Sequence, residues 1–286
     1  MKRPIRLIAI DLDGTLLNSR VELPQENRDA LRRAHEADIE IVLGTGRRHD
    51  FALPIAQSLG FDLWMLSSNG AITRSTLGET FHRDMLPKET AQKLARTMLE
   101  FRNYMVLTFD RTGAGAIVCE NHDQLYGVIQ RWMEKNAPFI RYVSPIEDAL
   151  TEDPIQAMFC GPVELMDSAQ EDLAACGFSG DFTALRTQYD YRDLCIVDIL
   201  NAGCSKGHAL ERWARHRGVD RSEVMAIGDN YNDVEMLTFA GHPVIMGNAC
   251  DDLKQSGWTV TLHHDDHGVA ATIDQVLESN AAILNA

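Results

Sequence analysis

The chain has 286 residues, of which 45% are hydrophobic and 24% are charged, and its formal net charge is −15. This length and composition predict a globular protein with one large domain or two smaller ones. The negative charge argues against a nucleic-acid-binding module, and no apolar run approaches the roughly 18 residues of a membrane span.

The six cysteines form no Cys-x-x-Cys pair and lie in apolar stretches. Cysteines in this pattern typically serve as small buried apolar side chains of proteins in a reducing compartment. We therefore expect a cytoplasmic protein with no nucleic-acid or membrane partner, as a monomer or a weak homo-oligomer.

Buried strands alternate with helices in the first 70 residues. The isoleucine-rich run 5–10 predicts a strand, and further strands are predicted at 39–43 and 61–66. Helices are predicted at 24–37 and 50–59. Consecutive β-α-β units of this kind form a parallel sheet with helices on its faces.

The middle of the chain has a different order of elements. Helices are predicted at 87–101, 124–135 and 163–176, and strands at 104–109, 116–120, 155–160, 183–186 and 194–200. The strand pairs 104–109 with 116–120 and 183–186 with 194–200 have the pattern of hairpins. We interpret residues 84–193 as an inserted α+β domain.

The alternation of helices and strands returns after residue 205. Helices are predicted at 205–217, 233–240, 251–255 and 268–277, and strands at 224–227, 243–246 and 259–262. The predicted fold class is α/β, with a Rossmann-like parallel sheet core made of residues 1–83 and 194–286.

Polar residues follow several of the predicted core strands. Ligands of an open parallel sheet bind beyond the carboxyl ends of its strands, so these residues are expected to converge. They are Asp11 and Asp13 after the first strand, Thr45, Gly46 and Arg47 after the second, and Asp229, Asn232 and Asp233 after a later one. Lys206, at the start of the helix after the insert, completes the set.

The acids of this set predict a metal site. Two carboxylates spaced two apart in a strand lie on the same side and repel each other unless a cation or a shared proton offsets their charge. Together with Asp229 and Asp233, Asp11 and Asp13 form a cluster of hard oxygen ligands that suits Mg²⁺. The histidines at 263, 264 and 267 are a second, weaker candidate, for which an exposed loop is the alternative.

Thr45, Gly46 and Lys206 are less specific when each is considered alone. A hydroxyl and an accessible glycine amide can hold a phosphate, but Gly-Thr-Gly is also an ordinary turn. A lysine can neutralise a phosphoryl group, but a lysine near a helix start is usually a solvated surface charge.

Six segments occur in a fixed order along the chain: DLDGTLL at 11–17, GTGR at 44–47, SNGA at 68–71, SKGHAL at 205–210, GDNYND at 228–233 and DDHGVAATI at 265–273. This set resembles the haloacid dehalogenase (HAD) superfamily, specifically its Cof-type sugar phosphatases with a C2B cap. The resemblance implies a HAD fold for the core and a C2B-type cap, which sets substrate specificity, at 84–193.

The resemblance also implies a role for each matching residue. Asp11 would be the nucleophile that forms an aspartyl-phosphate, and Asp13 the general acid and then the base. Mg²⁺ would be bound by Asp11, the backbone carbonyl of Asp13 and Asp229, with support from Asp233. The substrate-binding residues would be Thr45, Gly46, Arg47, Asn69, Gly70, Lys206 and Asn232, with Lys206 also neutralising charge during catalysis.

We therefore expect a Mg²⁺-dependent phosphatase that hydrolyses small phosphomonoesters, such as sugar phosphates. A phosphosugar mutase, which passes the phosphoryl group to a second hydroxyl, is the alternative on the same core. A non-catalytic binding protein on this scaffold would need a damaged site, yet every expected acid and the lysine are present.

Overall fold

The computed structural model describes residues 3–121, 123–189 and 192–285, and the chain divides into two units. The first unit comprises Met1–Arg83 and Ser205–Ala286, and the second comprises Asp84–Cys204. Each unit is built around one β-sheet. Among the described residues, no helix combines the length and the apolar character required to cross a membrane.

The first segment of the chain contributes five strands and two helices to the first unit. The strands are β1 (Leu7–Asp11), β2 (Glu40–Gly44), β3 (Trp64–Ser67), β4 (Ile72–Ser75) and β5 (Thr80–Arg83), and the helices are α1 (Gln25–Glu36) and α2 (His49–Gln57). The buried residues of α1 are Asn27, Ala30, Leu31 and Ala34. This spacing places them on one face of the helix.

In its described residues, the second unit has a six-stranded sheet and three α-helices. Its strands are β6 (Met105–Thr108), β7 (Ile117–Cys119), β8 (Ile140–Tyr142), β9 (Gln156–Gly161), β10 (Phe182–Tyr189) and β11 (Leu194–Asn201), and its helices are α3 (Lys88–Thr97), α4 (Asp123–Asn136) and α5 (Val163–Ala175). The strand order is β10-β11-β9-β6-β7-β8, and every pair except β7–β8 is antiparallel.

The last segment returns to the first unit and completes its sheet. It adds the helices α6 (Lys206–Arg217), α7 (Val234–Phe239), α8 (Asp251–Lys254) and α9 (Gly268–Leu284) and the strands β12 (Val224–Gly228), β13 (His242–Ile245) and β14 (Thr259–Val260). The strand order is β14-β13-β12-β1-β2-β3-β4-β5. The pairs from β14 to β3 are parallel, whereas β4 and β5 are antiparallel additions at one edge.

The central strand β1 is buried on both of its faces. Ile8 and Ile10 belong to the apolar cluster that includes α1 and α9, whereas Leu7 and Ala9 belong to the cluster that includes α6 and α7. Side chains alternate between the two faces of a strand, so both faces must be apolar here. This double burial explains the uninterrupted apolar run, and it confirms the predicted α/β fold with helices on both faces of a parallel sheet.

The domain boundary after residue 193 is corrected by strand pairing. Residues 194–201 form β11, which pairs with β9 and β10 in the second sheet, so residues 194–204 belong to the second unit and not to the core. An apolar run of this kind fits either sheet, and only its hydrogen-bonding partners decide. The strands β4, β5 and β8 are further additions, and α9 extends beyond the predicted end at residue 277.

Candidate active site

The carboxyl ends of three neighbouring parallel strands lie side by side in the first unit. β1 lies between β2 and β12, with Asp11 opposite Gly44 and Ile10 opposite Ile227. The residues that end or follow these strands, Asp11, Thr45 and Asp229, are therefore placed at one edge of the sheet.

Lys206 is held between two carboxylates at this edge. It is the first residue of α6, whose start is capped by the Ser205 hydroxyl. Its Nζ lies 2.7 Å from Asp11 Oδ1 and 2.7 Å from Asp233 Oδ1, and its side chain is 0% exposed. Burial disfavours the charged ammonium, but the two carboxylates outweigh this effect and raise the pKa of Lys206 above its usual value.

Three carboxylates lie close together beside this ammonium group. Oxygen atoms of Asp11, Asp229 and Asp233 lie within 4.8 Å of one another. Burial, followed by repulsion from Asp233, raises the pKa of Asp11 from 3.8 to about 7, although Lys206 acts in the opposite direction. Burial and repulsion from Asp11 likewise raise the pKa of Asp229 well above its usual value. A divalent cation would relieve this repulsion, and an all-oxygen donor set fits Mg²⁺.

Asp233 has hydrogen-bond partners on both of its carboxylate oxygens. Its Oδ1 accepts from Lys206, and its Oδ2 accepts from the backbone amides of Asp229 at 3.1 Å and Asn230 at 3.2 Å. These bonds shape the loop after β12 and place Asp229. The Thr15 hydroxyl donates to Asp229 Oδ1 at 3.1 Å and fixes the orientation of that carboxylate.

Gly14 and Asn248 complete the surroundings of Asp229. Gly14 has a φ of +86°, and a Cβ at this position would lie 2.3 Å from Asp229 Oδ2. Asn248 Nδ2 donates to the Gly14 carbonyl at 2.8 Å and lies 3.5 Å from Asp229 Oδ2. The loops after β1, β12 and β13 are therefore fitted to one another around Asp229.

The carboxylate of Asp13 lies outside the group of three acids and forms an ion pair with Arg47. Arg47 Nε donates to Asp13 Oδ2 at 2.7 Å, and Arg47 Nη2 donates to Asp13 Oδ1 at 2.5 Å. The side chains of Arg47 and Asp13 are 22% and 32% exposed. A bidentate pair of this kind is strong and directional, and here it remains accessible to solvent.

The remaining predicted residues lie on three loops that are hydrogen-bonded to one another. The Thr45 hydroxyl accepts the amide of Arg47 at 3.1 Å, and the Thr45 carbonyl accepts the amide of Asn69 at 2.9 Å. Asn232 Nδ2 donates to Asn69 Oδ1 at 2.9 Å. A Cβ at Gly46 would lie 3.3 Å from Asn69 Oδ1, and one at Gly70, where φ is +96°, would lie 2.4 Å from the Ser205 carbonyl.

Two residues of this site, Thr15 and Asn248, were absent from the sequence-based set. Thr15 belongs to the DGT segment, and Asn248 follows β13 at the same edge of the sheet. The rule that ligands bind beyond strand ends would have found Asn248 if it had been applied to the β13 strand as well.

Comparison with known proteins matches nearly the whole chain to one family. A family model described as haloacid dehalogenase-like hydrolase matches residues 8–273. Phosphatase YwpJ of Bacillus subtilis is 33% identical over 290 residues, which cover 96% of this chain and 100% of that protein. The 5-amino-6-(5-phospho-D-ribitylamino)uracil phosphatase YwtE of the same bacterium is 28% identical, covering 97% and 100%. A solved structure of a haloacid dehalogenase-like hydrolase from B. subtilis is 28% identical, with a TM-score of 0.78 and coverage of 94% and 99%.

Proposed function

Because this chain belongs to the haloacid dehalogenase-like hydrolases and is a phosphatase, we propose that it hydrolyses small phosphomonoesters through an aspartyl-phosphate on Asp11. The observation that carries this proposal is the position of Asp11, a buried carboxylate at the end of the central strand with the Lys206 ammonium 2.7 Å from its Oδ1. A carboxylate nucleophile divides a slow hydrolysis into two easier steps.

In the first step, an Asp11 oxygen attacks phosphorus and the bond from phosphorus to the ester oxygen breaks. The leaving oxygen takes a proton from Asp13, which acts as the general acid. In the second step, Asp13 takes a proton from a water molecule, which attacks the phosphorus and releases inorganic phosphate and the Asp11 carboxylate. Lys206 offsets the negative charge on Asp11 and on the phosphoryl oxygens in both steps.

Arg47 controls the availability of Asp13 in this scheme. The bidentate ion pair occupies both oxygens of Asp13, so neither can face a leaving group. A phosphate dianion competes for the guanidinium, because Arg recognises phosphate with the same two-donor geometry. Substrate binding then frees the Asp13 carboxyl group to face the leaving oxygen.

Mg²⁺ is the ion that this site would hold. Asp11 and Asp229 would be its carboxylate ligands, and Asp233 would support them through its bonds to Lys206 and to the backbone amides of Asp229 and Asn230. Thr15 and Asn248 would keep Asp229 in place. When bound, the ion supplies positive charge that stabilises the phosphoryl oxygens in the transition state.

We propose that the second unit, Asp84–Cys204, is the cap that selects the leaving group. The chain returns from this unit at Ser205, directly before Lys206, so the insert joins the first unit next to a site residue. The name of YwtE describes a phosphate ester on a ribityl chain, which supports a sugar-like or polyol leaving group for this chain as well.

A phosphate-release assay over a panel of sugar phosphates, polyol phosphates, nucleotides and cofactor phosphates tests the proposal. Asp11→Asn should abolish release and retain the fold, whereas Asp38→Asn, a matched change in an exposed turn, should have full activity. Phosphate should appear in equal amount to the dephosphorylated product, whereas a mutase would isomerise its substrate without releasing phosphate. Substantial turnover by Asp11→Asn would rule out the covalent role of Asp11.

A series of esters with leaving groups of different pKa tests the role of Asp13. Asp13→Asn should slow the hydrolysis of alkyl phosphates far more than that of aryl phosphates, because a good leaving group needs little protonation. An equal loss with both classes of ester would contradict the general-acid assignment.

A further inference from the structure

A second group of metal-ligating side chains lies in the first unit, in the segment before α9. His263, His264 and Asp265 each offer one ligand atom, and these atoms lie within 4.8 Å of one another. His267 lies outside this group, with its Nε2 3.7 Å from Glu26. The group differs from the acidic site in chemistry, because two of its three donors are imidazoles.

The tautomer of His264 is set by a backbone carbonyl. Its Nδ1 lies 2.9 Å from the carbonyl oxygen of Leu17, which can only accept a hydrogen bond, so Nδ1 is the protonated nitrogen. The lone pair of Nε2 is therefore available, and this atom lies 3.8 Å from Asp265 Oδ2. A carbonyl that accepts from the far nitrogen is the usual support of a metal-ligating histidine.

Asp265 presents one oxygen to both rings. Its Oδ1 accepts the amide of Ser19 at 2.8 Å, which fixes the orientation of the carboxylate. Its Oδ2 lies 3.7 Å from His263 Nδ1 and 3.8 Å from His264 Nε2. A tetrahedral ion with bonds of about 2.1 Å needs ligand separations of about 3.4 Å, so both nitrogen–oxygen separations are within a few tenths of an ångström of that value.

His263 is the adjustable member of the group. Its Nδ1 accepts the amide of Asp265 at 3.1 Å, so an ion at this nitrogen would replace that hydrogen bond. The His263 side chain is 42% exposed and can turn, whereas His264 is 13% exposed and is held by Leu17.

We propose that His263, His264 and Asp265 bind one transition-metal ion of the Zn²⁺ class through two imidazole nitrogens and one carboxylate oxygen. Imidazole donors favour Zn²⁺ and its neighbours over Mg²⁺, which prefers oxygen. Three protein ligands leave at least one coordination position for water.

The bound ion would order residues 263–265, a segment that is hydrogen-bonded to two other loops of the first unit. His264 and Asp265 already bond to the loop after β1, through Leu17 and Ser19. The amide of His264 also donates to Asn248 Oδ1 at 3.0 Å, and Asn248 in turn bonds to Gly14. An ion at this site therefore stabilises the segment that surrounds Asp229, one residue removed from the acidic site.

Equilibrium dialysis against Zn²⁺ at pH 7.5, with saturating Mg²⁺ present, tests the site by counting ions per chain. His264→Gln should bind one Zn²⁺ fewer than the wild type, and His267→Gln, the same change three residues further on, should bind as many as the wild type. An unchanged count in His264→Gln, or an equal loss in His267→Gln, would overturn the proposal.

Two further measurements keep the test decisive. Co²⁺ should give the strong visible absorption of a low-coordinate site with nitrogen ligands in the wild type, and this band should be missing from His264→Gln. If the circular dichroism of His264→Gln shows a lost fold, His263→Gln replaces it, because that ring is more exposed and its loss disturbs the fold less. A Co²⁺ band that both histidine variants retain would place the ion elsewhere.

Discussion

The raised pKa of Asp11 makes protons and Mg²⁺ compete for one carboxylate. Asp11 is 5% exposed, and its pKa rises from 3.8 to about 7. Between about pH 4 and 7 the folded protein therefore holds a proton at Asp11 that the unfolded chain has released. By linkage, the metal-free protein loses stability as the pH rises through this window, and a shift of about three pKa units corresponds to about 4 kcal/mol.

Mg²⁺ is expected to reverse this trend, because it binds the deprotonated carboxylate. At pH 8, a free Mg²⁺ concentration 100-fold above its dissociation constant should add about 2.7 kcal/mol to the free energy of unfolding. At pH 5, about two units below the pKa of Asp11, only about one folded molecule in a hundred has this carboxylate charged. The apparent Mg²⁺ affinity then falls about 100-fold, and the same Mg²⁺ concentration should add less than about 1 kcal/mol.

Urea unfolding at pH 5 and pH 8, in EDTA and in Mg²⁺, measures these differences. In EDTA at pH 8, Asp11→Asn should be more stable than the wild type, since it removes a buried charge, and it should lose most of the Mg²⁺ effect. Asp38→Asn should follow the wild type at both pH values. Equal stabilisation by Mg²⁺ at pH 5 and pH 8 would show that protons do not compete at Asp11, and would refute this reasoning.

Three further substitutions test the supports of the site. Lys206→Met should lower the free energy of unfolding by about 3–5 kcal/mol and the rate of phosphate release by at least about 100-fold, because two buried carboxylates lose their counter-charge. A free energy of unfolding and an activity near the wild-type values would contradict the pairing. Gly14→Ala and its control Gly60→Ala change glycines that both have a φ near +85°, so both variants should carry a backbone strain of about 1–2 kcal/mol. Only Gly14→Ala should lose Mg²⁺ affinity by calorimetry, because a Cβ at Gly60 meets nothing within 4 Å. Equal affinities in the two variants would show that Asp229 tolerates the added methyl group. Asn248→Ala should weaken Mg²⁺ binding about 10–100-fold by calorimetry with little change in melting temperature, and an unchanged affinity would remove Asn248 from the site.

The acids of the site were predictable because a physical rule links their positions. Asp11 and Asp229 end or follow strands that read as buried in the sequence, and parallel strands align their carboxyl ends. That single rule brings together residues more than 200 positions apart in the chain. Lys206 follows no strand of the first sheet, and its role was implied by the resemblance of the SKGHAL segment to the family.

The contacts between side chains were not predictable from patterns of this kind. The pairing of Arg47 with Asp13 depends on the relative position of two loops, and the bond from Asn248 to Gly14 spans 234 residues. The strands β4 and β5 are four residues each, and β5 is only partly buried, so neither has a long apolar run to reveal it. The position of β11 depended on its hydrogen-bonding partners, which local sequence does not specify.

The count of charges at the site explains how an acidic protein can attract an anionic substrate. Four carboxylates face two cationic side chains there, namely Asp11, Asp13, Asp229 and Asp233 against Lys206 and Arg47. One divalent ion would bring this set to neutrality, so that a phosphate group could approach Lys206 and Arg47 without net repulsion. Without the ion, the phosphate would meet the same excess of negative charge that raises the pKa of Asp11. A site with only the two cationic side chains would attract any small anion. The added acids make the affinity for phosphate depend on the metal ion, and they restrict the site to substrates that can bind to the same ion.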